Sequence, residues 1–185
     1  LGNIDLRTRE NGKIIINNNV TIEENCRVVS AKDGKILIGE NTIICAYSAI
    51  NGGEDVIVGK NCIIGRNTSI NSNSHKIKKE NIIMSQGFDH EKVIIEDDCW
   101  TGINSVITKG VTIKKGSIIG ANSVVNKDTE EYSINVGAPS IKIKNRNWLI
   151  EMKIGIIIFS RLSSTRFKGK VLKKINNCYI LEIIY

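Results

Sequence analysis

The chain contains only two histidines, and one of them, His75, lies in the polar stretch SNSHKI at residues 72–77. An imidazole has an ordinary pKa of about 6.5, so it can accept a proton from a weakly acidic hydroxyl and return it to a leaving group at neutral pH. General base catalysis of this type is worth roughly 10²- to 10⁴-fold in rate. His75 is therefore the first candidate for a catalytic residue. The other histidine, His90 in GFDHEK, is a weaker candidate for a base or a substrate contact.

A six-residue repeat flanks His75 on both sides. Its key positions are Ile38, Ile44, Ile50, Val58, Ile64 and Ile70, with an insertion of two after Ile50, and then Ile95, Thr101, Ile107, Ile113, Ile119 and Val125; Ile16, Ile22 and Val28 form a weaker first set. A helix requires a spacing near 3.6 and a half-buried strand a period of 2, so neither explains this pattern. The repeat predicts a parallel β-helix, in which three units close a triangular coil and one side chain per unit points inward.

Small residues occupy the expected corners of this β-helix. Glycine follows the inward residue at five places, where a missing Cβ lowers the steric cost of a turn: Gly39, Gly59, Gly65, Gly102 and Gly120. Cys26, Cys62 and Cys99 each lie two residues before an inward position, so we expect small buried thiols there. The five cysteines include no C-x-x-C pair, and the sequence indicates neither a disulfide framework nor a zinc knuckle.

The repeat stops between Ile70 and Ile95, where a polar, lysine-bearing stretch replaces it. This break predicts a loop that projects from a rigid scaffold, and such loops often carry functional residues. His75 lies at the entrance of the predicted loop.

The run VIIEDDCWTGINSVITKGVTIKKGSIIGANSVVNKDTEEYSINVGAPSIKIKNR resembles the C-terminal coils of the hexapeptide-repeat acyltransferases. The repeat, W-x-G, GVTI, IGANSVV-x-KD and GAP follow the order found in that family, and the likeness extends from about residue 13 to residue 146. The resemblance implies left-handed coils, a homotrimer and acyl transfer from acetyl-CoA without a metal. It also implies that His75 is the general base and that Trp100, in the W-x-G unit, is a second catalytic-site residue.

The same resemblance implies where acetyl-CoA binds. The pantetheine arm would follow Gly102, Ser105, Gly120 and Ala121, whereas the phosphates would lie near a basic group: Lys127, Lys142, Lys144 and Arg146. Residues 1–140 carry 16 basic and 17 acidic residues, a net charge of −1, and residues 141–185 carry 10 and 2, a net charge of +8. A local basic cluster suits a polyanionic molecule such as coenzyme A, although a solvated lysine-rich face has the same composition.

Two domains are predicted: an all-β β-helix over residues 1–147, and a linker with a short α/β-like fragment over residues 148–185. Within the second, FSRLSSTRFKGKVL resembles the first motif of the cytidylyltransferase-like sugar nucleotidyltransferases. That resemblance implies a triphosphate cradle made of Arg161, Ser163, Ser164, Arg166 and Lys170. Because only this motif is present, we expect no nucleotidyl transfer, and an accidental basic hairpin packed on the trimer is the alternative.

The function predicted from these resemblances is a cytoplasmic O-acetyltransferase that acts on a sugar or nucleotide sugar of surface polysaccharide biosynthesis. N-acetylation of an amino sugar and a non-catalytic trimerising platform for a fused nucleotidyltransferase are the alternatives. A zinc-dependent β-helix hydratase would need three histidine ligands per site, and each chain supplies two. No nucleic-acid partner is expected. We also expect no membrane span, because the apolar run IGIIIF at 154–159 is far shorter than the roughly 20 residues required.

Overall fold

The computed structural model describes residues 2–146 and two strands of the tail. The chain forms two compact units, Leu1–Trp148 and Leu149–Tyr185. The first unit is built almost entirely of short strands, as predicted.

Six successive coils make up the first unit. The first three contain β1 (Asp5–Thr8), β2 (Lys13–Ile16) and β3 (Thr21–Ile22), then β4 (Arg27–Ser30), β5 (Lys35–Ile38) and β6 (Ile43–Ile44), then β7 (Ala49–Gly52), β8 (Val56–Val58) and β9 (Ile63–Ile64). The fourth contains β10 (Ser69–Asn71), the inserted strands β11 (Asn73–His75) and β12 (Phe88–His90), β13 (Val93–Ile95) and β14 (Trp100–Thr101). The last two contain β15 (Val106–Ile107), β16 (Thr112–Ile113) and β17 (Ile118–Ile119), then β18 (Val124–Val125), β19 (Ser133–Val136) and β20 (Ile141–Asn145).

Equivalent strands of successive coils pair in parallel and form three sheets, which are the faces of a triangular prism. The first face is β1-β4-β7-β10-β15-β18, the second is β2-β5-β8-β13-β16, and the third is β3-β6-β9-β14-β17-β19 with β20 antiparallel at its end. Each coil crosses the first, second and third faces in turn, so the prism has a 1–2 edge, a 2–3 edge and a 3–1 edge.

The core is a set of aliphatic columns along the prism axis. Every predicted inward side chain from Val28 to Val125 is fully buried, whereas Ile16 of the first coil is 40% exposed because it lies at the end of the stack. Thr101 is the polar member of a column. Its hydroxyl oxygen lies 3.0 Å from the amide nitrogen of Gly65, which donates to it, and 3.3 Å from the hydroxyl of Thr68. These contacts satisfy the buried hydroxyl, which would otherwise be costly.

Asparagine is the most frequent residue with a left-handed backbone, at seven of the sixteen positive-φ positions among the described residues, whereas glycine supplies four. Positive φ angles near 57° occur at Asn19, Asn41 and Asn61 on the 2–3 edge, and similar angles occur at Asn67, Asn104 and Asn122 on the 3–1 edge. Asparagine tolerates this conformation better than most residues do. Side-chain amides of successive coils also hydrogen-bond along each edge, with donor–acceptor distances of 2.6 to 3.2 Å.

Glycine is required at the predicted corners for a different physical reason from the one expected. None of the five has a left-handed φ. Their missing Cβ atoms instead permit close stacking of the coils: a Cβ on Gly102 would lie 2.5 Å from the backbone nitrogen of Ala121. Larger side chains are therefore excluded by the neighbouring coil.

The prediction of buried thiols is confirmed for Cys26, Cys62 and Cys99, each at most 2% exposed. Cys62 and Cys99 lie on neighbouring coils, and their thiols donate to the carbonyl oxygens of Glu96 and Lys114 at 3.1 and 3.2 Å. The hydrogen bond between the two thiols and their burial together raise the pKa of Cys99 far above its usual range. These cysteines are core residues.

The 1–2 edge varies most in length. It consists of residues 9–12, 31–34 and 53–55 in the first three coils, 72–92 in the fourth and 108–111 in the fifth. The long segment 72–92 is the predicted loop. It begins and ends as an antiparallel hairpin of β11 with β12 and contains a short 3-10 helix, Ile83–Ser85.

In the second unit the structure describes β21 (Val171–Ile175) and β22 (Cys178–Glu182), which pair antiparallel. The predicted triphosphate residues from Arg161 to Lys170 lie outside the described residues. Across the described part of the chain, no helix has the length and apolar character needed to cross a membrane.

Candidate active site

His75 is an exposed residue of the hairpin on the 1–2 edge. It is the last residue of β11 and pairs with Phe88, the first residue of β12. The two rings are tilted by 36° with centroids 4.3 Å apart. The hairpin therefore presents the imidazole to solvent with one side against an aromatic ring.

An open cleft of about 360 Å³ lies at the base of the hairpin. Its lining comprises polar side chains of the first face and of the 1–2 edge: Asn71, Asn73, Ser74, Thr108 and Lys109. A volume near 300–1,000 Å³ is typical of sites for small ligands. The lining offers amide, hydroxyl and ammonium groups, which suit a ligand rich in hydroxyl or anionic oxygen atoms.

One ion pair and a chain of two hydrogen bonds fix the walls of this cleft. Lys109 forms an ion pair with Glu91, the residue after β12, and so ties the end of the loop to the fifth coil. On the first face, Arg27 donates to Asn51 at 2.6 Å, and Asn51 donates to Asn71 at 2.9 Å. Asn71 is therefore oriented by a chain of hydrogen bonds from the preceding coils.

Asn71, Thr108 and Lys109 were not predicted as site residues from the sequence. A signal for the first two exists in the repeat: each directly follows an inward isoleucine of the first face, so each must point outward next to the hairpin.

His90 lies at the other end of the hairpin and is partly buried. Its Nε2 is 2.7 Å from Nζ of Lys32. Burial and the Lys32 ammonium group lower the pKa of His90, which favours the neutral imidazole.

Trp100 does not lie near His75 in the same chain. It is on the outer side of the third face, where it pairs with Ile63 and Ile118 of the adjacent coils. Trp100 is 49% exposed and Ile63 is 45% exposed. The third face is the side of the prism opposite the 1–2 edge, so His75 and Trp100 point away from each other.

The residues predicted along the pantetheine arm all lie at the 3–1 edge, in the fourth and fifth coils. Ala121 is exposed and Gly120 is half-buried, whereas Gly102 is buried. Ser105 is also buried, and its hydroxyl donates to the carbonyl of Gly102 at 2.6 Å. The Ser105 side chain therefore stabilises the corner.

The predicted phosphate-binding residues lie on two different parts of the sixth coil. Lys127 is exposed on the 1–2 edge of the sixth coil, and the other three belong to β20 or follow it. Lys142 pairs with Glu130, and Arg146 pairs with Asp98 at 2.9 Å. Lys144 is exposed. Arg146 thus fastens the closing strand to the 2–3 edge.

Residues 92–127 match the family described as bacterial transferase hexapeptide (six repeats). Over 119 residues the chain is 29% identical to a probable acetyltransferase of Mycobacterium tuberculosis, a match that covers 64% of this chain and 40% of that protein. The chain thus spans less than half the length of this relative.

Solved structures share the fold over most of the chain. A variant of AntD, an N-acyltransferase from Bacillus cereus in complex with dTDP-4-amino-4,6-dideoxyglucose and coenzyme A, superposes with a TM-score of 0.64 and 25% identity over 76% of this chain and 83% of that one. A galactoside acetyltransferase in complex with coenzyme A has a TM-score of 0.64 and 26% identity over 73% of this chain and 65% of that one. The chain is therefore similar to hexapeptide-repeat acetyltransferases, both in the matched repeats and in its fold.

The matched repeats and the shared fold identify the first unit as a left-handed parallel β-helix, which confirms the predicted fold class. Right-handed crossovers are the rule for parallel strands, so the handedness could not have been derived from strand physics alone. Among the described residues, no three His, Cys, Asp or Glu side chains form a metal-ligand group.

Proposed function

We propose that this protein is a hexapeptide-repeat acetyltransferase that transfers an acetyl group from acetyl-CoA directly to a hydroxyl of a sugar or nucleotide sugar. The reaction would take place in the cytoplasm and serve surface polysaccharide synthesis. The observation that carries the proposal is the exposed imidazole of His75 at the end of β11, the strand whose Asn73 and Ser74 line the open cleft. Related structures contain coenzyme A, and AntD also contains a nucleotide sugar. The buried free thiols suit a reducing compartment.

In this reaction the acceptor lies in the cleft and His75 takes the proton of its hydroxyl as oxygen attacks the thioester carbonyl. The C–S bond breaks when the tetrahedral intermediate collapses, and the imidazolium returns the proton to the leaving thiolate of coenzyme A. Asn71 and Thr108 can hydrogen-bond the acceptor, while Lys109 can contact an anionic group. A direct transfer requires no cysteine or serine nucleophile.

The full site requires a neighbouring subunit, because one chain presents His75 and Trp100 on opposite sides of the prism. We propose a homotrimer in which the 1–2 edge of one subunit faces the third face of the next. The pantetheine arm then follows Gly102, Gly120 and Ala121 beside Trp100, with Lys127, Lys142, Lys144 and Arg146 near the phosphates. A closed cyclic arrangement would give three equivalent sites.

Replacing the base tests the central assignment. In a thiol-release assay with a panel of nucleotide sugars, His75→Ala should lower kcat by at least about 10²-fold. Calorimetry should show unchanged coenzyme A binding. Lys79→Ala, at an exposed position of the same loop, is the matched control and should retain full turnover. Full activity of His75→Ala would exclude His75 as the base.

N-acetylation is a second candidate function, because AntD is an N-acyltransferase and its bound sugar carries a 4-amino group. Amino and hydroxyl forms of the same nucleotide sugar distinguish the two. The O-acetyltransferase proposal predicts a higher kcat/KM for the hydroxyl form. A preference for the amine would establish N-acylation instead.

A trimerising platform without catalysis is the remaining alternative. Binding of coenzyme A distinguishes it from an acetyltransferase. The acetyltransferase proposal predicts a calorimetric signal with coenzyme A below about 1 mM. A platform would give no binding and no thiol release with any acceptor.

A further inference from the structure

The imidazole of His90 attaches the catalytic hairpin to two earlier coils. Its Nε2 lies 2.7 Å from Nζ of Lys32, on the 1–2 edge of the second coil. The ring also occupies a notch at Gly53, on the 1–2 edge of the third coil. A Cβ on Gly53 would lie 2.5 Å from Nδ1 of His90 and 2.6 Å from Cε1. The notch therefore exists only because residue 53 has no side chain.

The contact with Lys32 fixes the tautomer of His90. A protonated lysine only donates, so Nε2 accepts and the ring proton must be on Nδ1. Nδ1 is buried and has no hydrogen-bond partner among the described residues. Buried polar groups are nearly always paired, and the exceptions call for a functional explanation. This unpaired group lies at the base of the hairpin that carries His75.

A row of rings connects His90 to His75. The cross-strand pairs are Asn73 with His90 and His75 with Phe88, so these side chains share one side of the hairpin. The Phe88 ring centroid is 6.2 Å from that of His90 and 4.3 Å from that of His75. Movement of His90 out of its notch would displace β12, then Phe88, and with it the surface against which the His75 ring lies.

We propose that His90 is a positioning residue for His75, with Lys32 and the Gly53 notch as the parts of the scaffold that hold it. It acts through β12 and Phe88 and does not contact the reacting atoms. This inference rests on the proposed role of His75 as the general base. It gives the second histidine of the chain a function distinct from base catalysis.

Three substitutions test the proposal at its separate contacts. His90→Ala removes the ring, Gly53→Ala fills the notch from the other side, and Lys32→Met removes the donor at an exposed position. His90→Gln is the conservative control, because its side-chain oxygen can accept from Lys32. Lys79→Ala, on the exposed part of the loop, controls for unspecific effects.

Kinetics should separate positioning from binding. Because a misplacement of 1 Å can cost roughly 10²-fold, we expect His90→Ala and Gly53→Ala to lower kcat by about 10-fold or more. The KM for acetyl-CoA should stay within about 2-fold, since the predicted pantetheine residues are on other parts of the prism. His90→Gln should recover most of the lost kcat. Equal losses in His90→Gln and His90→Ala would overturn the proposal.

Imidazole NMR provides a readout that does not depend on activity. The chain has two histidines, so the His75→Ala and His90→Ala variants assign both ring C2 proton resonances. Gly53→Ala and Lys32→Met should shift the His75 resonance as well as that of His90. If Gly53→Ala does not fold, Lys32→Met alone decides.

The two proposals fail in distinguishable ways. A His75 resonance that is unchanged in Lys32→Met and His90→Ala shows that His90 does not position His75. Full activity of His75→Ala instead refutes the base, whatever the NMR spectra show.

Discussion

At the residue scale, the protonation state of His90 couples the fold to pH. The groups that face its ring are Lys32 of the second coil, Glu54 of the third, and Lys76 and Asp89 of the loop. Burial and the two lysines oppose protonation, the carboxylates favour it, and the net effect lowers the pKa. The folded protein therefore binds fewer protons at His90 than the unfolded chain does.

This sign gives a testable pH dependence. The contribution of His90 to the free energy of unfolding should be fully present above about pH 6.5, the ordinary value for histidine, and should decrease as the pH falls through the lowered pKa. Urea denaturation of the wild type and of His90→Gln between pH 7.5 and 5 measures this pH dependence of the free energy of unfolding. The measurements should be spaced on both sides of about pH 6.5. Stability should fall more steeply in the wild type. Parallel pH profiles for the two proteins would contradict the prediction.

At the scale of the structural elements, the asparagine ladders stabilise corners that need left-handed backbone. Asn104 has a φ of 59°, accepts a hydrogen bond from Asn67 at 2.6 Å and donates one to Asn122 at 3.2 Å. Alanine at this position would lose both hydrogen bonds and also strain the backbone. Glycine would lose the same bonds without the strain.

We therefore expect Asn104→Gly to be more stable than Asn104→Ala by about 1 kcal/mol, as measured by urea denaturation. Lys115, an exposed corner residue without a positive φ, is the matched control. There the order should reverse, because glycine costs more chain entropy than alanine does. Alanine as the better substitute at both positions would show that the left-handed corner imposes no strain.

The sequence predicted the coils better than it predicted the hairpin that projects from them. Inward positions such as Ile64 and Ile107 recur every six residues, and burial of a regular column allows little variation, so periodicity located them. The hairpin has no such period. Its pairing depends on contacts such as His90 with Lys32, which are 58 residues apart and follow from no local pattern.

The positions of the candidate site residues were predicted in part for the same reason, and their roles stay predictions. His75 was identified from the break in the repeat, and the structure places it on the extruded hairpin. Trp100 follows 25 residues later but lies on another face, because the chain crosses the second face and the 2–3 edge between them. A linear pattern does not specify the direction in which each outward side chain points.

At the scale of the whole molecule, the third face carries an outward apolar stripe. Its members are residues of five successive coils: Ile43, Ile63, Trp100, Ile118 and Ile134. Ile63 and Trp100 are each nearly half exposed. Such a stripe suits the neighbouring subunit in the proposed trimer.

A charge placed in the stripe should disrupt the assembly. Ile63→Lys should convert the trimer to a monomer in sedimentation velocity and abolish turnover, since an unpaired buried charge is costly in an interface. Ile15→Lys is the matched control, because Ile15 is similarly exposed at 42% but lies in the first coil on the second face. It should remain trimeric and active. An active monomer of Ile63→Lys would show that one chain suffices for catalysis.

The uneven 1–2 edge has a consequence for protein engineering. Short segments cross this edge in the first, second, third and fifth coils, and the fourth accommodates residues 72–92 while the register of β10 with β15 and of β8 with β13 is retained. The scaffold thus tolerates an insertion at this point without a change in its sheets. Under the proposed function, exchange of the tip, residues 77–86, for tips from related acetyltransferases should alter acceptor preference while the coil stack keeps its melting temperature. This edge is thus a suitable site for grafting new specificities.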